Sequence, residues 1–290
     1  MHLAVIASSE SWYLRDLRRA AAGKHEVTTV SFARLVSQLD GSRLGVSACD
    51  TDLQRPDCVL VRAMPPGSLE QIVFRMDVLG RLEAAGTPVV NPPRALEAAV
   101  DKYLASARLL AAGLPVPRTI VCQTVEDAMD GFAALGGDVV VKPLFGSEGR
   151  GMTRVSDEAI ALRVFKALVQ FDSVLYLQEF IPHNGYDYRL LVIGDRVLSI
   201  CRRNDQDWRT NIAQGGVAEP FAPTDEMLRM ARAAADAVGA PIAGVDLLPG
   251  RDGRLYAIEV NAVPGWKGLA SSLDVDVAGL VLEYCESLIG

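Results

Sequence analysis

Apolar and polar positions follow two rhythms along the first ninety residues. Short apolar runs, LAVIA (3–7), VTTVSF (27–32), CVLVRA (58–63) and PVV (88–90), alternate with stretches of helical spacing at 11–22 and 68–85. Strand-length runs separated by amphipathic helices predict βαβ units and a parallel sheet. Pro92 and Pro93 interrupt the pattern and set the first boundary, giving a domain over 1–93.

The next stretch, 94–180, reads as a separate lobe. A helix starts at Ala95, carries Asp101 and Lys102 and ends at Gly113, a glycine suited to the position after a helix. Strands at 119–122, 139–143, 152–155 and 174–180 then alternate with helices at 124–134 and 157–170. The last stretch, 181–290, predicts strands at 189–194, 196–203, 244–248 and 255–262, a polar loop up to Gly216, and helices at 225–238 and 275–288. Gly194-Asp195 and Asp252-Gly253 are two-residue hairpin signals, so this third part should be largely antiparallel. The expected class is α/β, built from α+β lobes behind an N-terminal parallel sheet.

The second hairpin places chemistry. If Asp252-Gly253 is a two-residue turn, Arg251 opposes Arg254 and Asp246 falls opposite Glu259, while Asn261, two residues further on, shares their face. Two carboxylates directly opposed repel unless a cation lies between them. An all-oxygen donor set of this kind suits Mg²⁺ or Mn²⁺. The competing reading is a solvent-facing acidic stripe, because Leu247, Ile258 and Val260 assign burial to the opposite face.

A second feature is KPLFGSEGRGM, 142–152, between two strand-like segments. Gly146, Gly149 and Gly151 permit positive φ and close backbone approach, so amide groups can face phosphate oxygens. No GK[ST] follows, which separates the loop from a Walker A motif. By itself it is equally compatible with a plain flexible hairpin. Lys142 tips the balance, because a lysine closing an apolar strand is costly to bury without an anion. Lys102, Lys142, Arg150, Arg189, Arg202, Arg203 and Arg209 all fall within or after this lobe, enough cation for a site that takes several anions.

Composition narrows the classes. With 29 Lys and Arg against 36 Asp and Glu the net charge is −7, which argues against a broad grip on nucleic acid. No apolar stretch reaches the roughly 18 residues of a spanning helix, and MHLAVIASSE lacks a basic n-region, so no membrane span or signal peptide is expected and the protein should be cytoplasmic. The five cysteines form no CxxC pair and are expected to be reduced core thiols. Three scattered histidines argue against a His-based metal site or histidine chemistry.

The motif order then carries more than any single motif. DKYLASARLLAAGLPVP, VVVKPLFGSEGRGM, LYLQEFIP, GYDYRLLVIGDRV, DWRTNIAQGG, GVDLLPG and IEVNAVPGW resemble the ATP-grasp superfamily, in its glutamate-ligase branch with the ribosomal-protein-S6 modification enzyme and the lysine-biosynthesis carrier-protein ligase. The resemblance covers about 95–270 and implies a pre-ATP-grasp domain over 1–93, a central lobe over 94–180 and a metal-bearing lobe over 181–290. It implies that Lys102 and Lys142 hold nucleotide phosphates, with Gly146, Ser147, Gly149 and Gly151 in the loop that closes over them. Gln178, Glu179, Phe180 and Ile181 would edge the adenine, and Glu179 or Asp187 would serve the ribose. Arg189, Arg209, Thr210 and Asn211 would stand near the phosphates and the acyl centre, and Asp246, Glu259 and Asn261 would hold magnesium. The implied reaction is ATP-dependent amide formation through an acyl phosphate, adding L-glutamate to a small acceptor. The alternatives are a protein terminus as acceptor, phosphotransfer without ligation, or a non-catalytic nucleotide-binding protein. A homo-oligomer is implied, acting on small-molecule carboxylate and amine partners. After Asn261 the sequence AVPGWKG departs from the branch, and Trp266 and Lys267 are expected to line the acceptor side.

Overall fold

The computed structural model describes residues 1–41, 43–146 and 149–289, with Arg43 described through its backbone. The first portion runs β1 (His2–Ile6), α1 (Trp12–Ala21), β2 (Glu26–Val30), β3 (Leu35–Asp40), β4 (Arg43–Ala48), β5 (Thr51–Asp52), β6 (Cys58–Val61), α2 (Leu69–Ala84) and β7 (Val89–Val90). Strands β2-β1-β6-β7 form the expected parallel sheet. Strands β3, β4 and β5 make a small antiparallel sheet that the hydropathy pattern did not reveal. In β3 the apolar Val36 and Leu39 fall on opposite faces and both are exposed, which leaves no clean period of two. Cys49, expected as a core thiol, is exposed in the turn after β4.

Next come α3 (Pro93–Val100), α4 (Lys102–Ala111), β8 (Thr119–Cys122), α5 (Val125–Ala134), β9 (Val139–Lys142), β10 (Thr153–Val155), α6 (Glu158–Val169) and β11 (Leu175–Glu179). The single helix expected from Ala95 to Gly113 is in fact two. Asp101 takes an extended backbone and its carboxylate accepts from the amides of Tyr103 and Leu104, capping α4 and ending α3. That break sets Lys102 on the first turn of a new helix. Strands β10-β9-β11-β8 form an antiparallel sheet with α5 and α6 on one face, and its core, centred on Phe132, Val141, Phe165 and Leu177, is separate from the others.

The last portion comprises β12 (Tyr186–Ile193), β13 (Arg196–Arg203), β14 (Val217–Pro220), α7 (Asp225–Val238), β15 (Ile242–Pro249), β16 (Leu255–Asn261), α8 (Lys267–Leu273) and α9 (Val277–Ser287). Its five strands, ordered β14-β13-β12-β15-β16, are all antiparallel. The faces of this sheet and of the parallel sheet pack into shared cores. Asn91 stitches the two together: its amide donates to the carbonyls of Ile242 and Ala262 and accepts from the Ile242 amide. Among the described residues no helix is long and apolar enough to cross a membrane.

Candidate active site

The β15–β16 hairpin delivers the predicted acidic pair by an unpredicted route. Gly194-Asp195 is the expected two-residue turn, with Ile193 opposite Arg196. Asp252-Gly253 is not. There Pro249 pairs with Leu255, the Gly253 amide bonds the Gly250 carbonyl, and Gly250 bonds Arg254, leaving a three-residue loop with Gly253 at φ 81°. Arg251 therefore does not oppose Arg254, and near the turn the register is one residue off. A bulge at Ile258 restores it, so Asp246 does face Glu259, and Asn261 faces Gly244. The Ala257 amide beside the bulge leaves the ladder for the Pro115 carbonyl. Ile258, assigned from sequence to the buried face, lies with Glu259 on the wall of a cleft instead.

That cleft, open to solvent, runs between the central sheet and the five-stranded sheet. It gathers Lys102, Lys142, Gln178, Glu179, Phe180, Ile181, Asp187, Arg209, Thr210, Asn211, Asp246 and Glu259 from segments spread over nearly 160 positions. Gly146, Gly149, Gly151, Arg189 and Asn261 stand just outside its wall, and Ser147 lies outside the described residues. The sequence reading missed the apolar lining: Val140, Met152, Leu248 and Ile258, with Trp208 and His183 at the rim. Met152 directly follows the glycines and Trp208 begins the WRTN segment, but a single apolar residue carries no signal of its own.

The electrostatics are those of an anion site. Lys142 is buried at the end of β9, and its Nζ donates to Gln178 Oε1 at 2.6 Å. Gln178 is held from behind by Thr119 and Tyr176, so its side chain positions the lysine at the cleft wall. Burial lowers the Lys142 pKa to about 8 against the opposing pull of Glu259, and burial also lowers that of Lys102. Lys102 Nζ donates to the Gly146 carbonyl at 2.7 Å. Among the described residues neither lysine has an ion-pair partner within 4 Å. The glycine loop has the positive φ that was expected, 130°, 70° and 73° at Gly146, Gly149 and Gly151. A Cβ on Gly149 would sit 2.7 Å from Asn211 Oδ1, so the loop seats directly on the WRTN segment.

Facing the lysines is a buried network of acids and guanidinium groups. Arg202 grips both oxygens of Asp187 and reaches Asp246 at 2.8 Å, and Arg189 takes the other Asp246 oxygen. Burial raises the Asp246 carboxyl, but Arg189 and Arg202 outweigh it and hold the group below the usual range. Glu259 has no hydrogen bond or ion pair among the described residues, and Asn261 Oδ1 accepts from the Val263 amide. Glu179 pairs with Arg118 at 2.9 Å, and Arg209 with Asp207. Burial lowers the His183 pKa, and its Nδ1 accepts from the Gly185 amide.

Trp266 is not at the acceptor side, where the sequence placed it. It is fully buried between the first and third portions, its indole N–H bonded to Asp16 and its ring stacked on Arg62 at 4.2 Å, while Lys267 lies over Trp12. The AVPGWKG departure thus serves packing.

Residues 99–285 match the family model described as the RimK-like ATP-grasp domain. The chain belongs to the RimK-like ATP-grasp family. Among its relatives, the tetrahydromethanopterin:alpha-L-glutamate ligase of Methanococcus maripaludis is 35% identical over 289 residues, covering 96% of this chain and 95% of that protein. The enzyme of the same name from Methanosarcina acetivorans is 30% identical, covering 98% of each. Of solved structures, the ATP-grasp ligase PsnB with its minimal precursor superposes with a TM-score of 0.77 at 25% identity over 99% of both chains. The ATP-grasp reading of the sequence and the mixed α/β architecture stand with the family.

Proposed function

We propose that the chain is an ATP-dependent carboxylate–amine ligase that joins L-glutamate to a small-molecule acceptor. One observation carries the reading: two converging lysines, without ion-pair partners among the described residues, face two carboxylates across a cleft that also has an apolar wall of Val140, Met152, Leu248 and Ile258. Lys142 and Lys102 repel each other, and a polyanion between them removes that cost. A triphosphate with a flat heterocyclic head fits both halves, its phosphates against the lysines and glycine-loop amides and its base against Val140, Met152, Phe180 and Leu248.

The acids fit a magnesium ion as well. Glu259 is open, Asn261 Oδ1 keeps a lone pair, and Asp246 can contribute if one guanidinium yields. Bound there, the ion supplies charge neutralisation to the phosphate oxygens. The rest falls to the protein. Lys102 and Lys142 hold the phosphates in line with the incoming acceptor carboxylate, whose oxygen bonds the γ-phosphorus as the bond to ADP breaks. Arg189, released from Asp246, and Arg209 stabilise charge on the acyl phosphate. The unprotonated amine of glutamate then attacks the acyl carbon, the C–N bond forms, phosphate departs, and the amine proton passes to phosphate or solvent.

The names of the relatives support glutamate as the amine and a pterin-like cofactor as the acceptor class. The test is ADP release measured with candidate acceptors, with and without glutamate, and mass spectrometry of the product formed from isotopically labelled glutamate. ADP release that needs both substrates, with a product heavier by one glutamyl residue, is expected. Release indifferent to the amine would overturn the ligase reading in favour of phosphotransfer.

A further inference from the structure

Arg62 follows the last residue of β6, at the carboxyl edge of the parallel sheet, and is 7% exposed. Of its five side-chain N–H donors, one meets an acceptor among the described residues, the Pro264 carbonyl at 2.7 Å; Nε is buried with none. Among the described residues no carboxylate pairs with it. The rings of Trp266 and Tyr13 lie 4.2 and 5.1 Å from the guanidinium, and nearby Asp16 accepts from Trp266 and Arg19. Burial draws the Arg62 pKa down to about 10, which leaves it cationic at neutral pH. A buried cation normally has an anion beside it, and stacking on aromatic faces offsets only part of the cost.

The position of this unmatched charge is informative. Pro264, which holds Arg62, also touches the metal-binding end of the candidate active site: a Cβ on Gly244 would meet Pro264 Cβ at 3.0 Å and Arg189 Cζ at 2.8 Å. Gly244 faces Asn261 across the hairpin and lies two residues from Asp246. Arg62 and Arg189 therefore flank one short segment of chain. The crevice outside the carboxyl ends of parallel strands is where open α/β sheets receive ligands. The loop that follows Arg62 is itself pinned by a second buried arginine, Arg75, which has no acid partner among the described residues, donates to the Pro65 carbonyl at 2.7 Å and crowds Gly67.

We propose that Arg62 anchors one carboxylate of the amino-acid substrate, making the carboxyl edge of the first sheet the amino-acid subsite. This rests on the ligase reading above. A planar guanidinium pairs with a carboxylate through parallel N–H donors, and a second carboxylate on the substrate is what distinguishes glutamate from a monoacidic amino acid.

The test uses the wild-type enzyme with ATP, its acceptor, and glutamate, glutamine or glutamate α-amide, and then the variants R62M and R62K. The wild type is expected to discriminate against one of the two amides by about 10- to 100-fold in kcat/KM, the size of a hydrogen bond to a charged group. In R62M that discrimination collapses because the KM for glutamate rises by a similar factor while the KM for ATP stays put; R62K recovers part of it. A wild type indifferent to both amides would overturn the proposal whether or not the variants fold. So would an R62M enzyme that keeps the preference, or one that loses kcat and ATP affinity together with it. If the wild type makes no glutamyl product at all, the ligase reading fails first.

Discussion

Replacing Lys142 with methionine should uncouple stability from binding. The wild-type lysine is buried against Gln178, and its pKa falls from 10.5 to about 8, which at 1.36 kcal/mol per unit places roughly 3 kcal/mol of unfavourable burial on the charged form. Methionine keeps most of the volume and removes that cost, while leaving Gln178 Oε1 without its donor, a loss of about 1–3 kcal/mol. The free variant should therefore be as stable as the wild type or up to about 2 kcal/mol more stable, a gain of a few degrees in Tm for a chain of this size. Nucleotide binding moves the other way. Losing a charged hydrogen bond to phosphate costs about 1.5–3 kcal/mol, or about 10- to 150-fold in Kd for ADP. Calorimetric melting of the free protein and titration with Mg–ADP measure both halves. A variant whose stability falls by more than about 2 kcal/mol while ADP binds unchanged would refute the reasoning, since Lys142 would then be a structural cation and not an anion receptor.

Three further outcomes follow from the geometry. Lys142 loses its proton as pH rises through about 8 in the free protein, so nucleotide affinity should be flat below that pH and fall above it; because the folded pKa lies below the unfolded one, this group makes the free protein progressively more stable as pH rises from about 8 to about 10.5, and Lys142→Met should abolish both trends. Trp266→Ala, which empties a fully buried site and bares Arg62, should cost about 3–5 kcal/mol in chemical denaturation, and a loss under about 1 kcal/mol would contradict the packing role. Gly216→Ala would set a Cβ 2.1 Å from the Thr210 carbonyl oxygen, so the 208–216 loop must shift; turnover should drop by about 100-fold, as expected for a misplacement near 1 Å, with an unchanged rate counting against the loop's part in the site.

Much of the architecture was written in periodicity. The βαβ order, the helix over Asp225–Val238 and the antiparallel hairpin at Gly194-Asp195 follow directly from local patterns, because each is a long amphipathic run or a turn with an obligatory positive φ. The break at Asp101 was not visible, since a carboxylate cap requires neither Gly nor Pro and competes with an otherwise continuous helical pattern. Asp246 opposite Glu259 was reached through two one-residue errors that cancel, an assumed two-residue turn and an unseen bulge; the bulge depends on Pro115, more than 140 residues away, and no local pattern encodes it. The cations and acids of the cleft stood out as chemistry in the sequence, whereas its apolar wall did not, because Val140 or Leu248 in isolation looks like any core residue. Trp266 failed for the same reason in reverse: a large amphipathic side chain beside a functional motif serves equally well as a substrate platform or as a plug between layers.

The separate core of the central sheet has a thermodynamic consequence. Phe132, Val141, Phe165 and Leu177 pack among themselves, whereas the outer two portions melt into one another through shared cores and Asn91, so the chain comprises two cooperative blocks. Heating should yield two overlapping endotherms, and nucleotide, which touches both blocks, should draw them together into one.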